Sequence, residues 1–272
     1  MNFLAEIAAW SVLGFGVLLF ILQALAYEAG FWIGRRTTQD IKEAEAGIGV
    51  IVGALLALLA FVLALTLSFA NARFDERRQG GLNEANAIGT AWLRAEALGQ
   101  PRGDEIAGLL LEYGKLRREN IMADRGSSSL GETNERVSAL QNEIWGHLTA
   151  VTRDQQNPIT ASLQAAVNDV FDATTAERLA FAFRFPPQLV WLLLGLALLG
   201  MGAVGYQLSL RGNRFRFIAA VVMVAWSLVI VDILDLGAPR IGTFRTSPQA
   251  YDWNLSGMGQ PIPIPSLPNQ RP

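Results

Sequence analysis

Residues 47–70, GIGVIVGALLALLAFVLALTLSFA, run for twenty-four side chains without one charge. About 20 helical residues cross the roughly 30 Å hydrocarbon core of a bilayer, so the stretch predicts a transmembrane helix. Nothing halts that helix where the apolar run ends. From Gly47 to Arg78 there is no proline, and the first glycine pair is Gly80-Gly81. The helix is therefore expected to project out of the bilayer. One face of it carries Phe61, Leu65 and Phe69 at four-residue steps, with Leu58 and Val62 beside them. Two readings fit that spacing. One is helix packing or lipid contact; the other is a ring of large apolar residues around an oligomer axis, which gates a pore by excluding water.

Three more stretches share the character of the first. Residues from about Ile7 to Ala26 have only Ser11 and Gln23 as clearly polar interruptions. Met1 to Glu6 contain an acid and no Lys or Arg, so a cleaved signal peptide with its basic leading region is not expected. Pro187–Leu210 is free of charge and places Trp191 and Tyr206 toward its ends, where aromatic rings prefer the interface. The fourth stretch, Phe217–Val231, has only fifteen residues. That is about 22 Å of helix, so a full crossing must take in Asp232 and Asp235. Those two acids lie three apart on one face. An acid at membrane depth costs about 2.5–3.5 kcal/mol and should face protein or water. Either both acids sit in the headgroup zone, or they are buried, with Arg240 as the available partner.

The rest of the composition agrees. The chain has 272 residues, no cysteine, 51% hydrophobic side chains and only 17% charged ones, where soluble domains carry about 25% charged. Such a chain is neither disordered nor a disulfide-stapled secreted domain. Without cysteine, thiolate catalysis, Cys-based zinc and cysteine-ligated iron–sulfur clusters are excluded. A net charge of -2 offers no footprint for nucleic acid. The lipid bilayer is the expected partner.

Four spans put both termini on one side, with the segment from about Asn71 to Pro186. The linkers Arg35–Ala46 and Arg211–Arg216 share the other side. Those linkers hold Arg35, Arg36, Lys42, Arg211, Arg214 and Arg216, which favours placing them in the cytoplasm. Arg73, Arg77, Arg78, Arg178 and Arg184 argue the opposite way from the edges of the long segment.

Within that segment the apolar spacing is helical throughout. Leu82–Leu98 repeats through Ala85, Ile88, Trp92 and Ala95. Gly103–Asn120 repeats through Ile106, Leu109, Leu110, Tyr113 and Leu116, and its Lys115, Arg117 and Arg118 read as the basic end of a helix. Arg125-Gly-Ser-Ser-Ser reads as a break. Glu132–Arg153 follows, with Val137, Leu140, Ile144 and Leu148 on one face. Asn157-Pro158 restarts the chain, and Leu163, Val167, Val170 and Phe171 form the stripe of another helix, ending near Pro186-Pro187. The expected fold is all-α: four transmembrane helices with a helical extramembrane region between the second and third. The divisions are 1–70 and 187–236 for the spans, 71–186 for the helical domain, and 237–272 for an irregular, proline-rich tail.

Enzyme motifs are missing. There is no HExxH, no phosphate-cradling loop with its Lys and no GxSxG. His147, the one histidine, reads as a surface or packing residue. Gly200-Met-Gly-Ala-Val-Gly has GxGxxG spacing but lies in a span, where small residues let helices approach. Glu84 and Glu96 read as helix-surface acids. No catalysis, cofactor or metal is expected.

Two long motifs carry a resemblance. Phe69-Ala-Asn-Ala-Arg-Phe-Asp-Glu-Arg-Arg, then Glu84-Ala-Asn-Ala-Ile-Gly-Thr-Ala-Trp-Leu-Arg-Ala, resemble the signature of a bacterial membrane family described as bestrophin-like and of unknown function. Asp232-Ile-Leu-Asp-Leu-Gly-Ala-Pro-Arg-Ile-Gly-Thr-Phe-Arg-Thr-Ser is similar to that family's closing motif, commonly Asp-Leu-Asp-x-Pro-Arg-x-Gly. Gly237 departs from its second acid, while Asp235, Pro239, Arg240 and Gly242 fit. The resemblance covers roughly residues 1–255 and marks Asn71, Arg73, Asp75, Glu84, Asn86, Arg94, Asp232, Asp235 and Arg240 as motif polar residues. It implies an inner-membrane protein of bacteria. More distantly, the chain resembles bestrophins, pentameric anion channels with four spans per subunit and a second span lining the pore. Phe61, Leu65, Phe69 and then Asn71 are similar in placement to that pore helix. This implies a homo-oligomer, small anions as permeants and cytoplasmic termini. The bestrophin calcium clasp has no counterpart here, so calcium gating is not expected.

Three functions follow as expectations: an oligomeric ion channel constricted at Phe61, Leu65 and Phe69; a non-conducting scaffold whose helical domain docks a protein; and a proton-coupled transporter using Asp232 or Asp235. With few spans and no internal repeat, the transporter ranks last.

Overall fold

The computed structural model describes residues 12–37, 42–99, 101–123, 129–183, 185–212, 215–239, 243–260 and 262–263. Helices account for nearly all of them, and no strand occurs among the described residues. In chain order they are α1 (Val12–Arg36), α2 (Lys42–Leu98), α3 (Arg102–Met122), α4 (Ser129–Asp154), α5 (Pro158–Ala182), α6 (Pro187–Leu210), α7 (Arg216–Gly237) and α8 (Gln249–Gly257). Four helical stretches are long and apolar enough to cross a membrane: Gly14–Arg36, Gly47–Leu98, Pro158–Leu210 and Arg216–Gly237. The all-α expectation holds.

The boundaries differ from the sequence reading in three places. The first helix continues past Ala26 to Arg36, because Gly30 and Gly34 act as packing residues and break nothing. The second does not end at Gly80-Gly81. It runs as a single helix of 57 residues into what was expected to be a separate helix at Leu82–Leu98. Two glycines cost a helix interior only about 1 kcal/mol each, and a Cβ on Gly81 would meet Ile121 Cδ1 at 3.5 Å, an ordinary contact. The tail, expected to be irregular from Gly237, forms α8, whose Tyr251 is 1% exposed. A nine-residue helix is too short to announce itself by periodicity and is stabilised by what it packs on. The Arg125-Gly-Ser-Ser break, the start of the first span, Arg240 and most of the Pro-rich end lie outside the described residues.

Two compact units emerge. The first comprises Met1–Glu76 and Ala182–Arg245, the second Arg77–Phe181 with Thr246–Pro272. In the first, α1 packs closely along α6. A Cβ on Gly30 would stand 1.9 Å from the Gly202 carbonyl oxygen, and one on Gly205 would stand 2.1 Å from that of Tyr27. Among lipid tails burial gives helices no hydrophobic drive to associate, so close van der Waals approach across small residues must supply it. This is the use the structure makes of the glycines at Gly200–Gly205. Around the seam, Phe15, Leu19, Leu59, Leu63, Leu193, Ala197, Ile230 and Ile233 are buried together. Gln23 Nε2 donates to Ser227 Oγ at 2.9 Å, joining α1 to α7 through neutral groups.

The second unit is a layer of helices around Trp92, Ile106, Leu110, Ile144, Leu148, Leu163 and Val167. Burying each such aliphatic side chain contributes roughly 1.5–3 kcal/mol. Asn157 starts α5 as the sequence implied. Its Oδ1 accepts the backbone N–H groups of Ile159 at 2.9 Å and Thr160 at 3.0 Å, a side-chain cap on donors that have no helical partner.

Candidate functional site

Helix α2 is two-faced along its length. Val52, Leu59, Leu63, Thr66 and Ala70 are buried, and beyond them Arg77, Glu84, Ile88, Ala91 and Ala95. With a turn of about 100° per residue, these fall within one broad sector. The opposite sector is uncovered: Val50, Ala54, Leu58, Phe61, Leu65, Ser68, Ala72, Asp75, Gln79, Asn83, Asn86, Thr90, Leu93 and Ala97 are all exposed. Its chemistry changes along the chain. It is apolar as far as Leu65 and then carries hydroxyls, amides and a few charges.

The three proposed constriction residues are not equivalent. Phe61 is 61% exposed and Leu65 55%. Phe69 is half-buried. Each four-residue step overshoots a full turn by about 40°, so Phe69 stands about 80° round from Phe61 and leaves the uncovered sector. Its ring instead meets Phe183 at 6.0 Å and Phe185 at 5.9 Å, both edge-on. The guanidinium of Arg73 lies 5.0 Å from the Phe69 ring centre and 4.2 Å from that of Phe183. Ser68 and Ala72 hold the positions that Phe69 vacates.

The other motif residues scatter. Asn71 is exposed and donates from Nδ2 to Asp75 Oδ2 at 3.3 Å. Arg73 pairs with Glu76 at 2.6 Å on the same helix. Asn86 is exposed. Arg94 donates to the Ser162 carbonyl at 2.7 Å, tying α2 to α5. Of the two acids on the last span, Asp232 is exposed while Asp235 is 5% exposed. Both oxygens of Asp235 accept the backbone N–H of Thr243, at 3.1 and 2.9 Å. Asp235 thus caps the turn that follows α7.

Glu84 overturns the surface expectation. It is fully buried, at the centre of an ionic cluster in the second unit. Arg117 Nε donates to Glu84 Oε1 at 2.6 Å and Arg117 Nη2 to Oε2 at 3.1 Å. Tyr251 donates its hydroxyl to the same carboxylate, and Thr174 Oγ1 donates at 2.6 Å. With its one proton so used, Thr174 accepts from Tyr113 at 2.6 Å, and Tyr113 in turn accepts from Gln141 Nε2 at 3.0 Å. Arg117 also donates to Glu177. The guanidinium, read from sequence as a basic helix end, is therefore a buried bridge between two acids. Burial opposes its charge, but Glu84 and Glu177 more than offset this and raise its pKa. Burial, assisted by the Glu84 charge and opposed by the Thr174 hydrogen bond and by Arg117, pushes the Tyr113 phenol up to about 12. Tyr251 is raised for the same first two reasons.

This cluster joins α2, α3, α5 and α8, so its role is to lock helices together. Sequence reading missed Arg117, Glu177, Thr174, Tyr113 and Tyr251 as a group. A signal existed: Arg117 lies in phase with Ile106, Leu110 and Tyr113, and Glu177 in phase with Leu163, Val167, Val170 and Thr174. A charge in register with an apolar stripe must be buried, and a buried charge needs a partner. Among the described residues no group of His, Cys, Asp and Glu could hold a metal ion.

A family model described as the Bestrophin-like domain matches residues 20–251. No curated protein and no solved structure matches the chain.

Proposed function

This chain belongs to the bestrophin-like family, and from that premise we propose that it forms a homo-oligomeric ion channel in the bacterial inner membrane. Copies of α2 surround a common axis and turn their uncovered faces inward. Five copies and anion passage are what the resemblance to bestrophins implies. Phe61 and Leu65 narrow the path, and their side chains expel water when the pore is closed. Phe69, braced by Phe183, Phe185 and Arg73, holds the helix at the end of the constriction instead of lining it. The reading assigns no catalysis and no cofactor.

One observation carries this proposal: a single angular sector of a 57-residue helix stays uncovered from Val50 to Ala97. The helix is about 85 Å long, far more than the roughly 30 Å a crossing requires. A dry contact with another protein would favour apolar side chains throughout, but Ser68, Gln79, Asn83, Asn86 and Thr90 suit water. Reconstituted protein should conduct, and Phe61→Ala should raise the current at rest. Silence across a range of ions and pH sinks the channel. A monomer or dimer by native mass spectrometry does the same and leaves the scaffold reading, with residues 71–186 docking a protein.

A further inference from the structure

We propose, resting on the pore reading above, that Asp75 sets the sign of the ion passed and makes the pore favour cations, against the anion passage that the resemblance implies. Beyond Phe61, α2 carries the charged residues Arg73, Asp75, Glu76, Arg77, Arg78, Glu84, Arg94 and Glu96. At about 100° per residue, Asp75 falls about 40° from the line of Phe61, the same offset as exposed Leu93. Every other charge falls farther round. Glu76 and Arg94 stand about 60° away, Arg78 and Glu96 about 100°, and Arg73, Glu84 and Arg77 about 120–160°. Asp75 is therefore the charge nearest the centre of the uncovered face, and it is exposed.

The neighbouring charges do little to oppose it. Glu76 pairs with Arg73 at 2.6 Å, so the pair is neutral, and its acid is the member nearer the Phe61 line. Arg78 is exposed but lies past the flank of the face, so its charge stands farther from the axis than that of Asp75. Arg94 is half-buried and donates to the Ser162 carbonyl at 2.7 Å, which holds it back toward α5. It also lies about 28 Å farther along the helix than Asp75, against a screening length of about 8 Å at physiological salt. The uncharged polar side chains cannot choose a sign. Gln79, Asn83 and Asn86 offer both a carbonyl oxygen and N–H groups, and Ser68 and Thr90 both donate and accept. Asn71 Nδ2 donates to Asp75 Oδ2 at 3.3 Å and leaves the charge in place. Repeated around the axis, Asp75 becomes an acidic ring about 15 Å beyond Leu65. Rings of acids select cations, and one at the end of a narrow path concentrates them there.

The test uses full-length protein in planar bilayers under a potassium chloride gradient. The unaltered channel should pass potassium more readily than chloride. Asp75→Asn, which can still accept from Asn71, should lower the potassium-to-chloride permeability ratio about threefold or more. The loss should grow as salt is diluted. Asp75→Glu keeps the charge and should keep the preference, with an unchanged oligomer by native mass spectrometry. Arg78→Gln should shift the ratio by a smaller factor. Conduction that favours chloride, or whose ratio ignores Asp75→Asn, overturns this inference and leaves the pore reading intact. So does a larger response to Arg78→Gln than to Asp75→Asn. Absence of conduction in the unaltered protein overturns both.

Discussion

In the first unit the interior polar groups are mostly neutral and tied to their own helices, whereas in the second they are charged and tied across helices. Thr66 returns its hydroxyl to the Val62 carbonyl at 2.7 Å, and Gln23 reaches Ser227 at 2.9 Å. Against these stand Glu84, Arg117 and Glu177, drawn from three helices and together with almost no exposure. The difference follows from the surroundings. A helix among lipid tails has no water to hydrate a stranded charge and gains its contacts by close approach, as at Gly30 and Gly202. A unit that draws on a conventional apolar core can bury charge if every partner is present. One unit should therefore weaken by degrees when a polar contact is lost, and the other should fail at once.

The largest break in that contrast comes from Arg117→Met. Glu84 and Glu177 would then be left buried without their shared cation, at a cost of about 3–5 kcal/mol. Amide exchange should speed up in α3 and α5 while α1 and α6 stay protected. Equal protection in all four helices would contradict the assignment of the cluster as a lock.

Alkaline pH gives the next effect. Tyr113 has a folded pKa of about 12 against an ordinary value of 10.0. A raised value means the neutral phenol is favoured by folding. Its contribution is complete below pH 10 and is lost as pH rises toward 12, about 2–3 kcal/mol from this residue. Tyr251 shifts in the same direction. Tyrosinate absorbance should appear together with loss of protection in the second unit, and Tyr113→Phe should flatten the response. Ionisation of Tyr113 near pH 10 in folded protein would contradict the burial argument.

The smallest change is expected in the first unit. Gln23→Leu removes the contact to Ser227 and should cost about 0.6 kcal/mol, the average for a hydrogen bond between membrane helices. Unfolding of the membrane unit in increasing detergent would measure it. A loss comparable to that of Arg117→Met would erase the distinction between the two units.

The candidate site was legible where it followed helical repetition and obscure where it needed partners from far along the chain. Phe61 and Leu65 stand on the uncovered face, and the sequence pairs them because an uninterrupted apolar run shows its own spacing. Phe69 shared that spacing, yet the small overshoot of each four-residue step moved it to the side, where Phe183 and Phe185 received it. Glu84 read as a helix-surface acid by default. Its burial depends on Arg117, Glu177 and Tyr251, which are 33, 93 and 167 residues away. Helix α8 was invisible for a similar reason: nine residues beside proline-rich sequence gain their stability from Tyr251, which is buried in the core of the second unit.

Sequence alone determined that four helical stretches can cross a bilayer, that the second continues beyond the apolar run, and that the segment between the second and third is helical. Hydrophobic runs and 3.6-residue periodicity are local properties, and the cost of burying unpaired backbone in lipid leaves helix as the solution for such runs. Only the tertiary structure decided which face of α2 stays uncovered, which acids are buried and how the tail is held. Those outcomes depend on contacts between residues distant in the chain, and burial of a charge is favourable only where folding delivers its counter-charge.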